Sequence, residues 1–243
     1  MSAVLESPVP AFDAQTPLGE IAVRLPGATA VFRKLKLDFC CGGNIPLAQA
    51  AQSRGLDAAA VLDQLAALDR QGADASIPTE PGALVDHILA RYHEVHRQQL
   101  PELERMARRV EAVHADHPAV PAGLAAVLDA MQQEMLSHMA KEEQVLFPML
   151  RAGHPMASQP IAVMRHEHNE HGRTLDEIDR LTRDLTPPPG ACNTWRALYI
   201  GLAALKDDLM QHIHLENNVL FPQFEGAPQG GCGCGGGAGG CGS

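Results

Sequence analysis

The chain has 243 residues, 45% of them hydrophobic and only 4% aromatic, with a formal net charge of −10. That charge argues against a broad phosphate-binding face, and so against nucleic acid as the main partner. No apolar stretch approaches the roughly 18 residues of a membrane span. The N-terminus also lacks the basic-then-apolar pattern of a signal peptide, so no membrane association and a cytoplasmic location are expected. There the six cysteines stay mostly reduced.

In chain order, residues 1–16 read as an N-terminal extension and residues 17–70 as a small helical domain. Leu18–Arg24, Thr29–Lys36, Pro46–Arg54 and Asp57–Leu68 each carry helical spacing, and Gly27, Gly42, Gly43 and Gly55 punctuate them. Residues 71–81 lack periodicity and read as a linker. Four longer helical segments follow, at about 82–114, 121–147, 160–184 and 193–221. Pro118 with Pro121, Gly153 with Pro155, and Pro187 to Gly190 separate them. This is the pattern of an up-down four-helix bundle over residues 82–225, which makes the chain all-α. Pro148 and Pro222 are expected to stop the second and fourth helices. Residues 226–243, rich in glycine and holding Cys232, Cys234 and Cys241, have too few apolar side chains to bury a core.

The bundle contains one pattern twice. His138-Met-Ala-Lys-Glu142-Glu-Gln-Val-Leu-Phe-Pro148 matches His212-Ile-His-Leu-Glu216-Asn-Asn-Val-Leu-Phe-Pro222, both reading H-x-x-x-E-x-x-V-L-F-P. Four residues make about one helical turn, so each histidine shares a face with its glutamate. A carboxylate turned inward must be neutralised, and a metal ion does so.

At about 100° per residue, Leu124, Val127, Met131, Met135, His138, Glu142 and Val145 share the inner face of the second helix, with Glu143 turned away. On the fourth, Leu198, Leu205, Asp208, His212, Glu216 and Val219 align, and His214 points away. On the third, Ile161, Met164, His168, Leu175 and Thr182 align, opposite His166. On the first, Val85, Leu89, His93, His96, Leu100 and Leu103 align, which leaves His93 and His96 tied. His93 to His138 spans 45 residues and His168 to His212 spans 44, as an internal duplication would give. Four histidines and two glutamates suit two irons, each with two imidazoles and with bridging carboxylates. The set is softer than a magnesium or calcium site and lacks the thiolates of a structural zinc site. His96 and His171 read as partly buried polar residues or outer hydrogen-bond donors. Glu134 and Glu167 flank the inner faces, as boundary charges or along a path for iron or protons.

Two groups of segments then carry a resemblance. Helices 82–221 resemble the hemerythrin-like domain. Leu18-Gly-Glu-Ile21, Phe32-Arg-Lys34 and Leu37-Asp-Phe-Cys-Cys-Gly-Gly43 resemble the N-terminal domain of the di-iron iron-sulfur cluster repair proteins, the RIC or YtfE/ScdA/DnrN group. Arg91-Tyr-His93, Gln98-Gln-Leu-Pro-Glu-Leu103, Val113-His-Ala-Asp116, Ser137-His-Met-Ala-Lys-Glu-Glu143 and Thr186-Pro-Pro-Pro189 extend the match. The resemblance breaks the tie in favour of His93. It implies a non-haem di-iron centre, oxo- and carboxylate-bridged, with His93, His138, His168 and His212 as histidine ligands and Glu142 and Glu216 as bridges. Oxygen-carrying hemerythrins use five histidines, whereas the duplicated pattern supplies four with no repeating fifth. Whether His96 or His171 adds one is left open.

The resemblance also implies repair of iron-sulfur clusters damaged by nitrosative or oxidative stress, with damaged iron-sulfur proteins and nitric oxide as partners. A homodimer is left open. Cys40 and Cys41 are too close in sequence for an unstrained disulfide. They read as two thiols beside flexible glycines, tilted toward thiolate by Lys34 and Lys36, and as the residues acting at the handover of iron or nitric oxide. Cys192, beside a helix start, reads as structural. The tail cysteines depart from the family and read as part of a passive tail, with a tethered metal shuttle as the alternative. No flavin or haem motif supplies electrons. This argues against a conventional turnover enzyme and leaves nitric oxide reduction or a peroxidase-like reaction as a side activity. The competing reading is a cytosolic nitric oxide or dioxygen buffer or sensor without repair.

Overall fold

The computed structural model describes residues 12–68 and 77–225. Most of the extension, most of the linker, and the tail with Cys232, Cys234 and Cys241 therefore lie outside the described residues. Every regular element among the described residues is helical, apart from an isolated bridge between Pro17 and Pro46.

The small domain consists of α1 (Leu18–Arg24), α2 (Ala28–Lys34), α3 (Leu47–Ser53) and α4 (Ala58–Leu68). Helices this short are unstable alone. Here Leu18, Ile21, Phe32, Leu37, Phe39, Leu47, Val61 and Leu65 close over one another, and the same apolar cluster continues into Leu205, Leu209 and Ile213 of the bundle. The two parts thus share a core.

The first bundle helix comprises Pro81–Ile88, a π-helical turn at Leu89–His93, and Glu94–Val113. Glu80 caps it, its carboxylate accepting from the backbone N–H groups of Gly82 at 2.9 Å and Ala83 at 2.7 Å. The second runs Leu124–Lys141, through a π turn at Glu142–Leu146, into Phe147–Arg151. Pro148 therefore does not stop it. The proline occupies the first turn of the segment after the π turn, where a missing N–H costs little. The third, Ser158–Thr182, is regular. The fourth runs Asn193–His214, through a π turn at Leu215–Leu220, into a 3-10 turn Phe221–Gln223 that contains Pro222.

Two apolar clusters fill the bundle. One lies beside the small domain (Leu100, Leu103, Leu128, Met135, Leu175, Trp195, Leu202), and the other at the far end (Leu84, Ile88, Phe147, Ile161, Met164, Leu220, Phe221). Following each helix from one cluster to the other gives alternating directions, the expected up-down order. Between the clusters every helix crosses a polar layer: His93 and His96, His138 and Glu142, His168 and His171, His212 and Glu216, all buried.

The small domain docks on that layer's level through its Cys-Cys-Gly-Gly loop. Gly42 and Gly43 serve close approach, not the flexibility read from sequence. A Cβ on Gly43 would sit 2.4 Å from Asn218 Oδ1 and 3.0 Å from the Phe39 carbonyl, and both glycines keep negative φ. Gly43→Ala is expected to destabilise this docking by about 1–3 kcal/mol. The check is a lowered urea midpoint, with limited proteolysis cutting within the small domain first.

Candidate metal centre

Three of the four bundle helices deliver ligands to the polar layer at or near a change of helical register. The first π turn ends on His93, the second begins with Glu142, and the third contains Glu216 as its second residue. A π turn adds a residue to one coil and rotates everything after it. This corrects the face reading in two places. Val145 is 51% exposed instead of inward, and Leu146 and Phe147 fill the core in its place. Val219 is half-buried while Leu220 and Phe221 are buried. The third helix has no such turn, and its expected inner residues Ile161, Met164, His168, Leu175 and Thr182 are all buried.

The six expected ligands converge in two groups. His93, His212, Glu142 and Glu216 place ligand atoms within 4.8 Å of one another, and so do His138, His168, Glu142 and Glu216. Both carboxylates belong to both groups. Each group takes its histidines from helices of different halves of the repeat, first with fourth and second with third. His93 Nε2 lies 3.3 Å from Glu142 Oε2, His138 Nε2 3.4 Å from the same oxygen, His168 Nε2 3.1 Å from Glu216 Oε2, and His212 Nε2 3.3 Å from Glu216 Oε1.

These contacts are close but poorly aligned as hydrogen bonds. Both oxygens of Glu142 and of Glu216, and Nε2 of His93 and His212, remain buried without a partner. His138 Nε2 and His168 Nε2 face each other at 3.2 Å. Lone pairs turned on one another in a dry layer are the arrangement a cation satisfies. The donor set is imidazole and carboxylate, which suits iron, manganese or zinc more than calcium.

Electrostatics agree. Burial pushes the Glu142 and Glu216 carboxylates up, but the histidines around them outweigh it and hold both below the usual range. Burial likewise opposes charge on His93 and His138, yet the carboxylates win. His93 lies above its ordinary value and His138 at about 10. Burial keeps His212 low. Without a cation, protons on imidazole balance the two carboxylates. A bound metal would take the place of those protons.

The outer contacts follow the same repeat, residue by residue. The position after each shared glutamate holds the Nδ1 of a histidine from the preceding helix of its own half. Glu143 accepts from His93 at 2.7 Å, and Asn217 Oδ1 accepts from His168 at 2.9 Å. Glu143, read from sequence as turned away, is thus an orienting group, and Arg97 holds it in turn at 2.6 Å. The residue before each first-of-half histidine supports the other pair. Glu167 accepts from His138 Nδ1 at 2.9 Å and is anchored by Lys141. Tyr92 instead stacks on His212, 5.4 Å between ring centres and 6° from parallel. Such contacts fix ring orientation and ligand basicity. The hydrogen bond from His138, with Lys141 behind it, holds Glu167 at about 2.

His96 and His171 depart from expectation. Both are buried, and neither ring makes a hydrogen bond through either nitrogen, so they are not outer donors. Glu134, Glu167 and His171 all line one cleft of about 680 Å³ between the second and third helices.

The cysteine loop lies against the centre. Cys41 Sγ donates to the His168 carbonyl at 3.4 Å. Asn217 Nδ2 donates to the Cys40 carbonyl at 3.1 Å while its Oδ1 holds His168. Asn218 Nδ2 donates to the Phe39 carbonyl at 3.1 Å. His214, which points away from the metal layer, is buried beneath the loop, edge-on to Phe39. Asp38, missed in the sequence, joins the two thiols. Its Oδ1 lies 3.3 Å from Cys40 Sγ and accepts from the Cys41 N–H at 2.9 Å, and the two sulfurs are 3.9 Å apart as free thiols. Lys34 and Lys36 do not drive Cys40 toward thiolate. Its hydrogen bond to Cys41, burial and Asp38 all push its thiol well above the ordinary value, and Lys36 pairs with Asp184. A cleft of about 690 Å³ opens over Cys40 and Cys41, with Arg33, Lys36 and Arg173 in its walls. Cys192 precedes the fourth helix, its Sγ 3.2 Å from His114 Nε2.

A buried imidazole layer with shared carboxylates, carried on an up-down bundle, defines a hemerythrin-like cation-binding protein. The family model for the hemerythrin HHE cation binding domain matches residues 84–224, and that for ScdA_N, a domain of unknown function, matches residues 14–69. An iron-sulfur cluster repair protein YtfE of Citrobacter koseri is 52% identical over 211 residues, spanning 85% of this chain and 95% of that protein. Proteins of the same name from two Escherichia coli strains are 51% identical over the same shares. The chain belongs to the YtfE family of hemerythrin-like proteins. No described helix is long and apolar enough to cross a membrane.

Because both ligand groups share both carboxylates, Glu142→Leu or Glu216→Leu is expected to abolish metal retention altogether, with helical circular dichroism retained. Metal analysis after gel filtration checks this. Asn217→Leu is expected to weaken metal binding about 10–100-fold by freeing the His168 ring, read by competition with a chelator. Stripping the metal from wild type should lower thermal stability, by about 2.7 kcal/mol relative to protein held at 100 times its dissociation constant. Calorimetry checks that shift.

Proposed function

We propose that this protein carries two irons bridged by Glu142 and Glu216 and repairs iron-sulfur clusters damaged by nitrosative or oxidative stress, donating iron or removing nitric oxide. The observation that carries this reading is the direct contact between the thiol loop and a histidine of the metal layer. One side chain, Asn217, holds both the Cys40 carbonyl and the His168 ring. The repair role named for the relatives supports it.

Bound iron supplies electrons and positions that accept small ligands. The chain supplies the rest. His93, His138, His168 and His212 hold the ions, and Glu143, Glu167 and Asn217 fix three of those rings so that their Nε2 atoms stay aimed inward. The two apolar clusters keep water from both ends of the layer. Cys40, Cys41 and Asp38 offer two sulfurs and a carboxylate at the floor of an open cleft, a set that accepts an iron in passage. An incoming cation must displace the thiol protons, and burial with Asp38 alongside opposes that loss at Cys40. The domains divide the work: 17–70 presents the cysteines and 82–225 holds the metals, in a cytoplasmic protein.

Anaerobic mixing of the reduced, iron-loaded protein with a nitric-oxide-damaged [4Fe–4S] dehydratase tests this. Activity is expected to return with wild type. It should fall at least about tenfold in rate with Cys40→Ser/Cys41→Ser, an effect of more than about 1.4 kcal/mol on the barrier. Irons that bind nitric oxide without restoring the dehydratase would instead make the protein a buffer or sensor.

A further inference from the structure

We propose that Cys232 and Cys234 join Cys40 and Cys41 in a four-thiolate site for one soft divalent cation, iron(II) or zinc(II), seated beside the Cys-Cys-Gly-Gly loop. The second pair comes from residues 226–243, outside the described residues. The inference rests on the capture role given to the thiol loop above and supplies the ligands that role lacks.

Three observations carry it. First, the two loop sulfurs already stand as one edge of a tetrahedron. Thiolates held at about 2.3 Å around a tetrahedral ion lie about 3.8 Å from one another. Cys40 Sγ and Cys41 Sγ are 3.9 Å apart as free thiols. Among the described residues only Asp38 gathers with them, so a tetrahedral ion there has a corner open, and thiolate outranks carboxylate for soft ions. Second, the start of the tail is fastened beside that edge. Arg165 donates to both carboxylate oxygens of Glu225, at 3.1 and 2.6 Å, and to the Asn217 carbonyl at 3.0 Å. The Asn217 side chain in turn holds the Cys40 carbonyl. Arg165 and Cys41 line one cleft of about 690 Å³. Cys232 follows Glu225 by seven residues, which can span up to about 25 Å, so its thiol reaches the loop with the bundle unchanged. Third, the tail's chemistry is that of a chelating arm. It carries no charged side chain, and Cys232-Gly-Cys234 sets two thiols side by side with no β-carbon between them to crowd the approach. The cleft offers the side-chain amides of Asn44 and Asn169 to a segment whose polar groups are mostly backbone.

An entering divalent ion displaces four thiol protons and leaves the site with a net double negative charge. Arg33, Lys36 and Arg54, in the wall of the other cleft at this loop, carry the opposite sign. Cys41 lines both clefts. The tail therefore closes one side of the ion while the other side stays open to an incoming cluster. Withdrawing the tail frees two corners at once, and a client's own thiolates or sulfides take them.

The test titrates the full chain anaerobically with cobalt(II), whose sulfur-to-metal charge-transfer absorption reports thiolate ligands and is absent from imidazole and carboxylate sites. Wild type is compared with Cys232→Ser/Cys234→Ser and with Cys40→Ser/Cys41→Ser. Each double variant is expected to lose about half of that absorption per ion, and to hold cobalt at the thiols about 10²–10⁴-fold more weakly. Unchanged absorption and affinity in Cys232→Ser/Cys234→Ser overturn the tail's part and leave the loop pair as the capture site. Absorption confined to dimers on gel filtration overturns a site built within one chain. No thiolate absorption in wild type overturns the capture role of Cys40 and Cys41 as well. A four-thiolate signature in a protein that restores no damaged dehydratase upholds the site and removes the repair reading instead.

Discussion

Everything in this molecule is arranged around two carboxylates that are wholly buried and close enough to share ligands. A pair of like charges in a dry interior is among the least favourable arrangements a protein can contain. Its presence between two apolar clusters dictates what surrounds it. Imidazoles must face inward, the outer edges of those imidazoles must be held, and helices must be locally rewound to bring the groups together. The core on either side is ordinary leucine, methionine and aromatic packing, and it isolates the layer more than it shapes it.

The rewinding has a definite form. Three of the four bundle helices contain a π turn where a ligand is placed. Such turns forfeit regular hydrogen-bond geometry, and here they let a glutamate reach the axis while the next residue, Glu143 or Asn217, turns to a neighbouring helix. One inserted residue therefore produces two ligand shells from consecutive positions. It also explains why the V-L-F-P ending of both repeats places its valine outward and its leucine and phenylalanine inward.

Much of this was legible in the sequence. Helix order, bundle direction and the inward setting of His138, Glu142, His168, His212 and Glu216 follow from apolar spacing and from the repeat, because those depend on local periodicity alone. Val145 and Glu143 depart from the face reading because a uniform rotation per residue cannot represent a π turn, and Pro148 does not stop its helix because the π turn sets it in the first turn of a new segment. His93 and His96 could not be separated by spacing because both do face inward. The docking roles of Asn217 and Asn218 depend on contacts with the cysteine loop well over a hundred positions away, which no local pattern reports, whereas Asp38 lies only two and three residues from the thiols it joins. A signal for Asn217 existed nonetheless. Aligning the two repeats sets it opposite Glu143, a polar residue at the same place beside a shared carboxylate.

The crosswise pairing of helices bears on how the chain comes off the ribosome. Since each metal position combines the first helix with the fourth or the second with the third, and both need Glu216, a nascent chain lacking its last helix has neither site complete. On the proposed di-iron reading, an ion would not be retained until synthesis has passed Glu216 and the final helix has closed the bundle. Occupancy of the proposed centre would then record that translation and folding have both finished.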